Sequence, residues 1–310
     1  AVTVLPSMTL HAAPYAAVVM DARNGKIYHS RNADTRLHPA SLTKMMTLYV
    51  AFQAIEKNEI SLDSYVTVSR NAAAEPPSKL WLKRGQKIKL RYLIRAAAIK
   101  SANDAATAIG EAISGSEAAF AKRMTRTARA MGMSRTTFKN AHGLTRSGHL
   151  STARDMTILG RHMIYDYPQY YNLFSRRSAD AKIRKVNNTN RRFLAAYKGA
   201  DGIKTGYTRA AGFNLVASAE RGGERIVATM FGGSSTAARN KRVAQLLDMG
   251  FDRAPSTAKL QRPSLPPYDQ NENENGGKTL RLVTAVKRSL RPKMRPFGEA
   301  SAPEEPLLAA

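Results

Sequence analysis

The chain has 310 residues, 43% of them hydrophobic, which is enough for one large domain or two modest ones. It has no cysteine, which excludes disulfides, thiolate metal sites and a cysteine nucleophile, and it has no apolar run of about 18 residues that could span a membrane. The formal net charge of +26 suggests a nucleic-acid binder, but the basic residues are dispersed and no zinc-finger spacing or basic recognition helix is present. An anionic surface such as a cell envelope is therefore the preferred interpretation of the charge.

The first thirty residues predict an export remnant followed by a hairpin. Residues 1–13 end in small residues and resemble the tail of an export signal, which predicts an exported, periplasmic protein. Residues 15–20 predict a buried strand, and residues 26–30 predict the strand that returns from it. Asn24-Gly25 between them is a strong hairpin signal.

A helix is predicted to begin near Pro39 and to end near Lys57. Ser41 and Lys44 are three residues apart in its first turn, so their side chains can touch on one face. A serine hydroxyl needs a base within hydrogen-bond reach to act as a nucleophile. A lysine can be that base only if burial or nearby positive charge lowers its pKa.

The middle of the chain is predicted to be mainly helical. Residues 59–89 read as short strands and loops, in which Trp81 is interpreted as a packing residue. Ser101-Ala102-Asn103-Asp104 interrupts two helices, and residues 132–151 form a loop-rich segment. The predicted helices cover residues 90–99, 105–113, 117–131 and 152–165.

The remaining part returns to strands and ends in a helix. Strands are predicted at residues 201–207, 213–219 and 225–232, followed by a helix at 236–249 that Gly250 ends. The simplest assembly is an α+β fold: a five-stranded antiparallel sheet flanked by helices, with an all-helical insertion at about 60–200. The domain is expected to cover residues 14–252.

Residues 253–310 differ in composition from the rest of the chain. They are rich in Pro and Asn, and residues 278–295 then carry seven basic residues and no acidic one. A mostly disordered tail is predicted. The alternative is a short basic amphipathic helix that makes weak contact with an anionic membrane surface.

Three polar motifs stand out: Ser41-x-x-Lys44, Ser101-x-Asn103 and Lys204-Thr205-Gly206. Each alone has an ordinary explanation, since Ser and Asn cap helices, a strand lysine is usually solvated, and a strand glycine often marks a bulge. All three occur in this order, each on the expected element. Together they match the motif set of serine acyl-transferases that react with β-lactams.

On these motifs the chain resembles the low-molecular-mass penicillin-binding proteins, specifically the serine D-alanyl-D-alanine carboxypeptidases. The resemblance covers roughly residues 14–252 and implies the β-lactamase and penicillin-binding-protein transpeptidase fold. The stretches that carry it are Asp21–Lys26, Pro39–Thr47, Lys100–Ala106, Asn140–Leu144, Asp201–Tyr207 and Ala211–Val216.

The resemblance implies the following catalytic roles. Ser41 attacks the carbonyl of the penultimate D-Ala and forms an acyl-enzyme, while a neutral Lys44 takes its proton. Ser101 relays the proton to the leaving nitrogen. Asn103 holds the substrate's peptide amide and helps to position Lys44. No cofactor and no metal ion are implied.

The resemblance also implies a substrate-binding strand. Lys204 and Thr205 hold the terminal carboxylate, Arg239 assists them, and Gly206 leaves room for the substrate. The backbone N–H groups of Ser41 and Tyr207 form the oxyanion hole. The implied partners are a peptidoglycan stem peptide that ends in D-Ala-D-Ala and β-lactam antibiotics, with no nucleic acid.

Two residues depart from the family pattern. Ala102 stands where Gly or Asp is common, and Thr189 stands where some relatives have Arg, which bears on carboxylate recognition.

A D,D-endopeptidase that cleaves peptidoglycan cross-links would use the same motifs and remains an alternative. A β-lactamase is less favoured, because neither Glu111 nor Glu117 has an Asn four residues later to complete the setting of a deacylating base.

Overall fold

Five antiparallel strands form the centre of the molecule in a computed structural model, which describes residues 13–268. Their order across the sheet is β2-β1-β9-β8-β7. This confirms the predicted α+β class and the five-stranded antiparallel sheet. The strands in chain order are β1 (Ala16–Asp21), β2 (Ile27–Arg31), β3 (Tyr65–Thr67), β4 (Lys87–Lys89), β5 (Ser178–Asp180), β6 (Lys185–Asn187), β7 (Ala200–Thr208), β8 (Gly212–Arg221) and β9 (Glu224–Gly233).

Helices cover both faces of the central sheet. They are α1 (Thr43–Glu56), α2 (Arg70–Ala74), α3 (Leu90–Arg95), α4 (Asn103–Ser114), α5 (Glu117–Ala130), α6 (Ala153–Tyr165), α7 (Pro168–Tyr171), α8 (Arg191–Ala196) and α9 (Thr236–Arg253). Within β1, Val18 points into the core that contains α1 and α6, whereas Val19 points into the core beside α9. A strand buried on both faces has an uninterrupted apolar sequence, which explains why β1 reads as a continuous apolar run.

The insertion between β2 and β7 is mainly helical, but the prediction that it is all-helical is corrected. Strands β3 and β4 pair as one small antiparallel ladder, and β5 and β6 pair as another. Each strand has three residues. Strands β3 and β4 lie within residues 59–89, where the sequence predicts short strands and loops. Strands β5 and β6 are not predicted, because segments of three residues carry too little alternation.

Two local predictions are wrong. Helix α9 does not end at Gly250, where a Cβ would come within 2.5 Å of Ile226 Cγ2, so this glycine provides close helix-to-sheet packing. Trp81 is 58% exposed rather than packed, because the adjacent Leu80 and Leu82 take the buried positions.

Residues 254–268 follow α9 and lie against the same domain. Arg23 donates to the carbonyl of Pro255 at 2.7 Å and accepts a backbone bond from Gln261. The ring of Tyr268 lies 5.5 Å from the Arg123 guanidinium. This part of the predicted tail therefore has defined contacts.

The other terminal predictions fall outside the described residues. These are the export remnant, of which only residue 13 is described, the remainder of the predicted disordered tail, and the basic segment 278–295. Within residues 13–268, no helix has the length and apolar character needed to cross a membrane.

Candidate active site

The first predicted pair lies at the junction of the sheet and α1. Ser41 belongs to a 3₁₀ turn, Ala40–Leu42, which leads directly into the helix. Lys44 is in the first turn of α1 and is 0% exposed. Its Nζ lies 3.1 Å from Ser41 Oγ, so the predicted contact is present.

The surroundings of Lys44 indicate which form of its amine fits. Nζ lies 2.7 Å from Asn103 Oδ1 and 2.8 Å from the carbonyl of His142, and both oxygens only accept hydrogen bonds. A neutral amine has two N–H groups, which these acceptors use, and its lone pair is then left for the Ser41 hydroxyl. Burial, followed by the charge of Lys204, lowers the pKa of Lys44 well below its usual value. The amine can therefore take the hydroxyl proton.

The amide of Asn103 is held in one orientation. Its Nδ2 donates to the carbonyl of Pro76 at 2.8 Å, so Oδ1 must face Lys44. The neighbouring Asp104 accepts backbone bonds from Leu80 at 2.9 Å and from Leu82 at 3.0 Å. These bonds tie the segment 76–82 to the start of α4.

Ser101 enters the site from a strained turn. It follows the π-helical turn Ala96–Lys100 and has a left-handed backbone with φ of 63°. Its Oγ is buried and has no hydrogen-bond partner among residues 13–268. A non-glycine residue in this conformation costs about 1–3 kcal/mol and is found mainly at functional sites. The hydroxyl is thus available to a reacting group.

The third motif lies on the predicted strand β7, which is at one edge of the sheet. A Cβ at Gly206 would lie 3.0 Å from the carbonyl of Pro39 and 3.2 Å from Ser41 N. A side chain there would crowd the backbone of Ser41, so the absence of a side chain at Gly206 also accommodates the Ser41 turn. Tyr207 follows with a side chain that is 57% exposed and a ring 4.3 Å from that of Phe213.

Two buried cations lie together beside this strand. Lys204 is 1% exposed and Arg239, in the first turn of α9, is 4% exposed. Burial and the neighbouring Arg239 lower the pKa of Lys204 to about 7, and burial lowers the pKa of Arg239 to about 10. Within residues 13–268, no carboxylate pairs with either of them. Uncompensated buried charge is unfavourable, so the arrangement suits an anionic ligand.

Thr189 is placed beside the third motif. Its hydroxyl lies 2.7 Å from the hydroxyl of Thr205, and its backbone N–H donates to the carbonyl of Ile99. The Thr189 hydroxyl therefore fixes the orientation of the Thr205 hydroxyl. Ala102 is fully buried and has no polar atom in its side chain with which to act.

The loop Asn140–Leu144 contributes residues to which the sequence assigned no role. The His142 carbonyl is the second acceptor of Lys44, and Thr47 donates to the carbonyl of Ala141 at 2.5 Å. Gly143 has φ of +92°, and a Cβ there would lie 1.8 Å from the carbonyl of Ala40. These contacts are made by backbone atoms, which side-chain chemistry in the sequence does not indicate.

Glu75, Glu117 and His142 form a group whose side-chain atoms are close enough to hold a metal ion. His142 Nδ1 accepts the backbone N–H of Leu144 at 3.1 Å, so in the neutral ring the proton is on Nε2. Nε2 lies 3.3 Å from both Glu75 and Glu117. The Nε2 proton, shared between the two carboxylates, accounts for the cluster without a metal ion. The cluster stabilises the loop behind Lys44.

Comparisons with known proteins place this geometry in context. Residues 3–235 match the family model described as D-alanyl-D-alanine carboxypeptidase. The chain is 38% identical over 243 residues to D-alanyl-D-alanine carboxypeptidase DacF of Bacillus subtilis, which covers 77% of this chain and 62% of that protein. It is 37% identical over 242 residues to DacC of Escherichia coli, and the match covers 76% of this chain and 60% of that protein. The chain thus spans about three fifths of the length of these curated relatives.

Solved structures share the fold. Penicillin-binding protein 5 of Haemophilus influenzae superimposes with a TM-score of 0.73 at 34% identity, covering 81% of this chain and 73% of that one. Penicillin-binding protein D2 of Listeria monocytogenes, in its ampicillin-bound form, gives a TM-score of 0.70 at 33% identity. The match covers 80% of this chain and 100% of that one.

Proposed function

The chain belongs to the D-alanyl-D-alanine carboxypeptidase family, and on this premise we propose that it removes the terminal D-Ala from peptidoglycan stem pentapeptides through an acyl-enzyme on Ser41. The observation that carries the proposal is the pairing of two features. The buried Lys44 amine lies 3.1 Å from Ser41 Oγ, with its other two polar contacts made to acceptors. Two buried cations to which no carboxylate of residues 13–268 is paired lie on and beside β7, whose Gly206 packs against the Ser41 turn.

In the proposed acylation, Ser41 Oγ attacks the carbonyl carbon of the penultimate D-Ala as its proton passes to Lys44 Nζ. The negative charge that develops on the carbonyl oxygen is held by the backbone N–H groups of Ser41 and Tyr207, and losing one such donor typically costs about 2.7–4 kcal/mol. As the C–N bond breaks, Ser101 passes the proton to the leaving nitrogen. D-Ala departs and an ester to Ser41 remains.

Deacylation reverses the proton path. Water attacks the ester carbonyl, Lys44 takes its proton, and the Ser41 oxygen leaves as a hydroxyl. The free Ser101 Oγ is placed to hydrogen-bond in either step. A β-lactam enters by the same attack, but its leaving nitrogen stays attached through the ring, so release is slower. The Listeria protein solved in an ampicillin-bound form supports the proposal that a β-lactam binds this chain.

The terminal carboxylate of the substrate is proposed to bind Lys204 and Arg239, with the Thr205 hydroxyl as a further donor. An ion pair there would relieve the cost of burying two like charges. The proposed ion pair predicts a preference for a substrate with a free carboxyl end. Export to the periplasm and action on the cell wall belong to the same proposal.

D-Ala release from a peptide ending in D-Ala-D-Ala tests the proposed function. We expect release from the peptide with a free carboxyl end, and at least about tenfold less from its C-terminal amide, which lacks the ion pair. The assay is enzymatic detection of free D-Ala. Faster cleavage of cross-linked muropeptide dimers than of the pentapeptide would assign an endopeptidase instead.

A pH profile tests the role of Lys204. Below pH about 7 the Lys204 amine is charged, and it loses that charge as pH rises through its lowered pKa. The ratio of kcat/KM for the carboxylate peptide to that for its amide should therefore fall between about pH 6 and pH 9. The ratio cancels the effect of Lys44, which both substrates share. In Lys204→Arg the ratio of the two kcat/KM values should no longer change with pH. A ratio that is independent of pH in the unmodified enzyme would refute the role of Lys204 in binding the carboxylate.

A further inference from the structure

A polar pocket lies outside the candidate active site. It has a volume of about 370 Å³ and is lined by Arg36, Arg129, Ser134, Arg135 and Thr137. These five residues define the arginine pocket. None of them belongs to the three motifs, and no carboxylate lines the pocket.

The three guanidinium groups have no partner within residues 13–268. None of them forms an ion pair or a side-chain hydrogen bond there, although each is exposed. The helix dipole favours a cation at Arg129, which is in the last turn of α5. It gives no reason for Arg36 and Arg135 to converge on the same concavity, where like charges repel.

The nearest acidic groups are already engaged. Asp34 forms a two-bond pair with Arg154, one of whose bonds is 2.7 Å. Asp155 is buried and accepts from the Thr136 hydroxyl at 2.6 Å and from the backbone N–H of Arg135 at 3.1 Å. The charge of Arg135 still helps to lower the pKa of Asp34. Arg154 already balances the charge of that carboxylate, so the pocket keeps a net positive charge.

The backbone around the arginine pocket is fixed by pairing. Leu37, next to Arg36, forms a β-bridge with Ser151, and Thr137 forms one with Leu150. The buried Asp155 holds the segment from Arg135 to Thr136 between them. The side chains that line the pocket therefore project from a rigid frame, so little backbone order is lost on binding.

We propose that the arginine pocket binds a phosphate group. Arginine presents a planar fork of N–H donors that matches phosphate oxygens two at a time, and the hydroxyls of Ser134 and Thr137 add further donors. Three positive charges suit the charge of a phosphate better than that of a single carboxylate. The volume leaves room for the group that bears the phosphate.

Titration of the full chain with inorganic pyrophosphate, followed by calorimetry, tests the proposal. We expect one saturable site that weakens with added salt, and a loss of affinity of at least about tenfold in the triple variant Arg36→Gln/Arg129→Gln/Arg135→Gln. The matched control is Arg70→Gln/Arg177→Gln/Arg192→Gln. It removes the same charge from three exposed arginines in separate segments and should bind as the unmodified protein does.

Three outcomes would overturn the proposal: no saturable binding, an equal loss in the control variant, or citrate binding as tightly as pyrophosphate. Benzylpenicillin acylation should be unchanged in both variants, because none of the six arginines lies in the candidate active site. If benzylpenicillin does not acylate the unmodified protein, the proposed function is refuted, but the proposal for the arginine pocket is not affected.

A second experiment, binding to phosphatidylglycerol vesicles, identifies whether the phosphate belongs to a lipid headgroup or to a soluble molecule. If phosphatidylglycerol vesicles bind in a manner that needs the three arginines and that pyrophosphate reverses, the site takes a lipid headgroup. If pyrophosphate binds but the vesicles do not, the site takes a soluble phosphate. Vesicle binding that is equal in both triple variants and insensitive to pyrophosphate would show that the pocket does not bind the headgroup.

Discussion

Replacing Lys44 by methionine should slow the acylation of Ser41 by benzylpenicillin by about 10²–10⁴-fold, the usual contribution of a positioned general base. Methionine has a similar length but no nitrogen, so the Ser41 hydroxyl loses the lone pair that lies 3.1 Å away. The measurement is the rate of adduct formation in stopped-flow or quenched samples.

The pH dependence separates this role from a structural one. In the unmodified protein the acylation rate should rise with pH as Lys44 loses its proton, and in Lys44→Met this rising limb should be absent. The control is Lys139→Met, which removes an exposed lysine three residues before His142 and should leave rate and profile unchanged. Acylation of Lys44→Met at a rate within about threefold of normal would refute the assignment of the base.

Gly143→Ala should be the most damaging single methyl addition in the site. The new Cβ would come within 1.8 Å of the Ala40 carbonyl and 2.8 Å of Thr43 Oγ1, at a φ of +92° that side chains rarely adopt. The turn that carries Ser41 must then move. We expect the free energy of unfolding to fall by about 2–4 kcal/mol and acylation to slow by at least about 100-fold.

A matched glycine isolates the clash from the backbone strain. Gly132 has φ of +86°, and a Cβ added there would meet nothing within 4 Å, so Gly132→Ala carries the strain alone. We expect it to lose about 1 kcal/mol of stability and to be acylated at the normal rate. Urea unfolding and acylation kinetics on both variants provide the comparison. Equal effects of the two substitutions would show that the Ala40 contact has no importance.

Local patterns in the sequence predict much of the architecture, because they depend on neighbouring residues. The hairpin at Asn24-Gly25 and the first turn that joins Ser41 to Lys44 are both specified within a few positions. The sequence does not predict the roles of Gly250 and Trp81 correctly, because their surroundings come from distant segments. Gly250 meets Ile226 of β9, and the backbone on either side of Trp81 is bound by Asp104.

The candidate site shows the same division. The side chains of the three motifs are recognisable as chemistry, and the resemblance groups them. The sequence does not predict that the His142 carbonyl lies beside Lys44, because a backbone oxygen is present in every residue. It does not predict that the Thr189 hydroxyl lies beside Thr205 either, because a single threonine does not indicate which distant hydroxyl it contacts. Burial of Lys204 is likewise a tertiary property, and burial, together with the neighbouring Arg239, lowers its pKa to about 7.

The identity of the residue acylated by penicillin tests the central claim most directly. Protein treated with benzylpenicillin, digested and mapped by mass spectrometry should carry one adduct on the peptide that contains Ser41, with fragment ions that place it on that residue. An adduct located on Ser101 or elsewhere, or no adduct at all, would contradict the account.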